Sequence, residues 1–162
     1  MELQRREREC CIDERPELRN DGRMAPVSTL QNSRVWRTPG GTFELRQPSE
    51  SLALTKVAGH IDEELGRIIA EAHFAMLTKT AGVHTFHDWF EASGYDSGAR
   101  KTLTNMVLQL RPKLGSVHIL VSSRILSMGI SVANVVLGGF IRSYSERQKF
   151  EAAYEQQRTK AA

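Results

Sequence analysis

The stretch "SGYDSGAR", residues 93–100, joins an extended, alternating run to a run of helical periodicity. It places an acid, a serine and two glycines where the chain turns from strand into helix. Asp96 and Ser97 are both residue types that cap helix N-termini, and such a cap contributes about 1 kcal/mol. The same position exposes unpaired backbone N–H groups and a partial positive charge, which would accommodate a phosphoserine. On the residues alone, Ser97 is open to both readings. A catalytic serine is disfavoured, because "GYDSG" lacks the symmetrical glycines of a nucleophile elbow and no motif places a base.

Working downstream, "DSGARKTLTNMVLQLRPKLG" reads as a second helix with Ala99, Leu103, Met106, Val107 and Leu110 on its buried face, ended or kinked by Pro112. "SVHILVSS" is a strand apolar on both alternating faces, as expected where helices cover it. "RILSMGISVANVVL" is a third helix, with Ile125, Gly129, Val132, Val135 and Val136 predicted to be its packed side and Gly138 and Gly139 its stop. "FIRSYS" is a short strand, and "ERQKFEAAYEQQ" a last helix with Phe150 and Tyr154 four apart.

Upstream, "VHTFHDW" reads as a strand. Before it, Asp62 caps a first helix whose stripe is Leu65, Ile68, Ile69, Ala72 and Met76, closed by Gly82. "TFELRQ" and "SLALTKVAG" form an antiparallel pair about a turn at Pro48. Strands alternating with helices imply right-handed crossovers and a mixed, mostly parallel α/β sheet.

Residues 1–41 differ in composition and are expected to be a disordered or loosely docked arm, leaving a domain over residues 42–162. "ELQRRERECCIDER" within the arm has opposite charges at helical spacings, Met24 is a candidate alternative start, and Trp36 is a candidate anchor to the domain. The adjacent Cys10 and Cys11 are read as free thiols in a reducing cytoplasm. No apolar run reaches the roughly 18 residues of a membrane span, and the start of the chain lacks an apolar signal segment. The net charge of +3 is spread without a Lys/Arg block, which argues against a nucleic-acid groove.

Three stretches together resemble STAS domains: "VAGHID" at a strand-to-helix opening, "GYDSGAR" at the start of the second helix, and "SVHILVSSRILSMGI" in the following unit. The resemblance spans residues 42–157, and the bacterial anti-sigma-factor antagonists are its best-known members. It implies the STAS fold and a non-enzymatic regulatory module in the cytoplasm that binds a protein, such as a regulatory kinase or a sigma-pathway protein. It also implies a switch by phosphorylation near the start of the second helix. The family's usual acceptor is the second Ser of a pair, a position held here by Gly98; Ser97 matches the first, and His60 replaces the usual acid.

The candidate partner-binding or phosphosite residues are therefore Asp88, Trp89, Tyr95, Asp96, Ser97 and Gly98, on a loop expected over residues 88–98. No cofactor, metal site or catalytic set is expected. His84 and His87, three apart on a strand, point to opposite faces and cannot share an ion. Two alternatives remain: a small-ligand or lipid carrier of SEC14-like type, motivated by the apolar third helix, and a hydrolase using His and Asp, which a cleft lacking convergent His, Asp and Ser would dispose of.

Overall fold

Six strands lie side by side in the order in which the chain makes them. A computed structural model describes residues 33–161. Strands β1 (Ser33–Arg37), β2 (Gly41–Ser49) and β3 (Leu52–Ile61) form an antiparallel meander. Strands β4 (Val83–Tyr95), β5 (Leu114–Val121) and β6 (Ile141–Tyr144) then add in parallel, each after a helix. These are α1 (Glu63–Leu77), α2 (Ser97–Leu110) and α3 (Arg124–Val136), with α4 (Arg147–Ala161) last. The mixed, mostly parallel sheet expected from the alternation is the sheet observed.

Sequential order and right-handed crossovers put α1, α2 and α3 on one face. The main core lies there, where Phe43, Leu45, Val57 and Ile119 of the sheet meet Leu65, Ile69, Leu103, Val107 and Leu126 of the helices. The opposite face is closed by α4, whose Phe150 packs with Leu52, Phe86 and Leu120. β5 is thus covered on both sides, which explains why Val117–Val121 are all buried.

Local chemistry sets the ends of the elements. Leu65 N–H donates to the Asp62 side chain at 2.7 Å, capping α1 as expected. Pro112 sits in a short 3-10 turn, Arg111–Lys113, that ends α2. Gly138 and Gly139, at φ of +65° and +76°, close α3 with their N–H groups on the Val135 and Asn134 carbonyls. Pro48 falls within β2 at a register irregularity between Arg46 and Ser49, beyond the residues paired with β1, where its missing N–H is tolerated.

Three expectations are corrected. Ser33–Arg37 is an edge strand of the sheet, and Trp36 stacks on Phe43 with ring centroids 5.1 Å apart, so these residues belong to the domain. The other readings of the arm, its helix, Met24 and the two cysteines, lie outside the described residues. Most of the loop expected over residues 88–98 is strand: β4 runs on to Tyr95, with register shifts opposite Lys56–Ala58 and Gly59–His60. Such bulges break the period-2 alternation that marks a strand in sequence. Finally, α3 buries Leu126, Gly129 and Ile130, while Ile125, Val132, Val135 and Val136 face solvent.

Candidate functional site

β3 and β4 are parallel neighbours, so they deliver α1 and α2 to the same end of the sheet. The two helices start side by side. Gly66 of α1 lies against Ala99 of α2, where an added Cβ would be only 2.9 Å from the Ala99 Cβ. The Glu63 side chain covers Gly98. Asp96 N–H donates to the Ile61 carbonyl at 2.9 Å and joins the two strand-to-helix turns.

Asp96 occupies the N-cap position of α2 but makes no capping bond. Its carboxylate instead accepts from His60 Nε2–H at 2.9 Å. The cap anticipated from the residue types is therefore not made, and the first N–H groups of α2 receive no side-chain cap. Ser97 is the first residue of α2 and is exposed. Its hydroxyl stands at a helix end of partial positive charge, and Glu63 lines the same groove.

A groove of about 520 Å³ runs from this point between α2 and α3. Ser97, Gly98, Arg100, Lys101 and Thr104 line one wall and Val132 and Val136 the other, with Glu63 at the end. Tyr95 anchors the arrangement. Its ring occupies the space a side chain at position 129 would need, so Gly129 lets α3 lie directly on the end of β4.

Of the six residues singled out in the sequence, the structure brings Tyr95, Asp96, Ser97 and Gly98 together. Asp88 lies elsewhere, facing α4, where it accepts from Arg147 at 2.8 and 3.3 Å. Trp89 is buried on the helix side of β4. His60, Glu63, Arg100 and Lys101 were not singled out as a group. The shared helix ends could have pointed to them, because the residues flanking two adjacent parallel strands must meet.

Histidine, aspartate and serine do meet at this end, but not as a hydrolytic set. His60 spends Nε2 on Asp96, and its Nδ1 lies against Gly94 rather than Ser97. His84 and His87 point to opposite faces as expected: His84 bonds Ser116 at 2.8 Å, and His87 bonds Thr55 at 2.8 Å on the other side. Among the described residues, no three His, Cys, Asp or Glu side chains are grouped to hold a metal ion. No described helix is long and apolar enough to cross a membrane.

An apolar cavity of about 70 Å³ lies beneath α2 and α3, lined by His87, Trp89, Leu103, Val107 and Ile130. Drug-sized and cofactor ligands occupy about 300–1,000 Å³, so this space does not favour the carrier alternative.

No protein-family model matches the chain, and no curated protein matches it. Solved structures do. An uncharacterized DUF3478-family protein with a SpoIIAA-like fold from Shewanella loihica PV-4 is 15% identical at a TM-score of 0.54, covering 71% of this chain and 94% of that one. The anti-sigma factor antagonist SpoIIAA in its unphosphorylated form is 15% identical at a TM-score of 0.52, covering 72% and 97%. The chain has a SpoIIAA-like fold, a divergent form of the STAS-like architecture.

Proposed function

We propose that this chain is a non-enzymatic regulatory module of the STAS type that binds a protein partner at the start of α2, around Tyr95, Asp96, Ser97 and Gly98. The observation that carries this reading is the exposed Ser97 at the uncapped N-terminus of α2, at the mouth of the α2–α3 groove. The fold it shares with an anti-sigma factor antagonist supports the same reading.

Phosphorylation of Ser97 is the proposed switch. A phosphoryl group would add about −1.5 to −2 charges to the groove mouth. The α2 N-terminus would accept it without loss of fold, whereas a partner seated there would meet new charge and a desolvation cost. The partner is a kinase-like or sigma-pathway regulator on this reading. Recovery of partners from native lysate by wild type and by Ser97→Asp tests it. Loss of a partner with Ser97→Asp is expected; equal recovery of the same partners by both would count against the switch.

A further inference from the structure

The segment Ser97–Ser145 carries six basic residues, Arg100, Lys101, Arg111, Lys113, Arg124 and Arg142, and not one Asp or Glu. It contains all of α2 and α3. On α3, Ile125, Met128, Val132, Val135 and Val136 are between 59% and 82% exposed. At about 100° per residue these five positions fall within an arc of about 100°, the width of the face that a surface helix ordinarily buries. Single exposed apolar residues need no explanation, but a continuous stripe marks a surface that something covers.

The groove described above borders this stripe at Val132 and Val136. Its α3 wall is apolar, through Val132 and Val136, and its α2 wall carries Arg100 and Lys101. The surface thus pairs an apolar ridge with a basic flank. We propose that the α2–α3 face docks an amphipathic helix of a partner protein, with the helix's apolar side on Ile125, Met128, Val132 and Val136 and its acidic flank against Arg100 and Lys101. This rests on the reading of the chain as a protein-binding module, and it assigns the chemistry of the partner.

Charge selects this occupant over a second copy of the chain. A copy docked face to face would set Arg100 and Lys101 against Arg100 and Lys101, with Glu63 at the groove end as the one acid among the groove's lining residues. Shape selects it over a bilayer. A planar surface would touch the α3 ridge and leave the groove open, whereas a helix fills the concavity beside the ridge. The docked helix passes Ser97 and Gly98, which line the same groove. A phosphoryl group on Ser97 would then face the partner's acids, and the two would repel.

Site-specific photo-crosslinking of the full chain in its own cells tests this, with p-benzoylphenylalanine replacing Val132, Ser97 or, as a control on α4, Glu155. The expected result is a crosslink from position 132 to a segment with apolar residues at helical spacing and Asp or Glu on one flank. The exposed pair Arg100→Glu and Lys101→Glu should lower that yield about tenfold, with the thermal melt of the variant showing that it remains folded. Capture from position 97 but not from 132 overturns the docking face and leaves the protein-binding reading standing; capture from neither overturns both. Crosslinks from 132 only to copies of this chain overturn it in favour of self-association. Binding to phosphatidylglycerol vesicles that is lost in Val132→Asp, without a protein crosslink, overturns it in favour of a membrane.

Discussion

His60 Nε2–H donates to Asp96 Oδ1 across 2.9 Å, tying the end of β3 to the N-cap of α2. The pair is about half exposed on both sides, at 45% and 48%, so its worth to folding is small. His60→Ala is expected to lower stability by less than about 1 kcal/mol. The bond holds the Asp96 carboxylate away from the first turn of α2. Its removal should therefore change partner affinity more than it changes the melting temperature. Calorimetric titration with the identified partner, alongside thermal melts, checks the ratio; a large loss of stability with unchanged affinity would show that the pair only braces the fold.

Gly129 is needed because Tyr95 fills the place of a side chain there. Gly129→Ala should destabilise the protein by about 1–3 kcal/mol, the usual cost of overpacking a well-filled contact. Shortening the partner with Tyr95→Leu in the same chain should recover a large part of the loss. Urea denaturation of the two single variants and the double variant measures the coupling, and additive losses would contradict the contact.

The stability should fall as the solution is acidified from neutrality. Burial, with Arg142 and His84 nearby, lowers the pKa of His118 from 6.5 to about 4. His73 and His87 are lowered in the same direction, chiefly by burial. Each imidazole is neutral in the fold and takes a proton once unfolded. Below about pH 6.5 the unfolded chain binds more protons than the native one, so stability falls with falling pH until the native pKa is reached. For His118 that window runs from about 6.5 down to about 4. Melting temperatures at pH 7.5 and pH 5 should differ, and the difference should narrow in His118→Gln.

Asp88 serves as a joint rather than as part of the groove. Arg147 forks onto its carboxylate at 2.8 and 3.3 Å and lies over the Phe90 ring, 5.1 Å from the centroid. Asp88→Ala should release the start of α4, at a cost of about 1 kcal/mol. Amide hydrogen exchange should rise at the N-terminal turn of α4 and stay unchanged at Ser97–Leu103. Equal change at both would place Asp88 in the candidate site after all.

The course of the chain was readable where one physical rule acts alone. The stripe Leu65, Ile69, Ala72, Met76 has one apolar face, so α1 and its buried side follow directly from spacing. α3 is apolar on nearly every side, and spacing alone allows two buried faces. Only its seat over Tyr95 and the Asn134 side chain bonded to Ile141 N–H and C=O, at 2.7 and 2.9 Å, select Leu126, Gly129 and Ile130. In β4, two bulges hid the last turn-ward residues from the alternation rule. Ser97 was legible as the start of a helix, whereas His60 became its neighbour only through the parallel pairing of β3 with β4. The charge asymmetry was visible in the chain, since no acid separates Asp96 from Glu146, but whole-chain counting averaged it away.

The account is tested most directly by mapping amide chemical shifts of the isotope-labelled full chain as its identified partner is added. The account predicts that the largest changes fall on Tyr95–Asn105 of β4 and α2 and on Met128–Val136 of α3, and that they vanish in the Ser97→Asp protein. Changes confined to the edge strand β1 or to α4, with α2 and α3 silent, would contradict it.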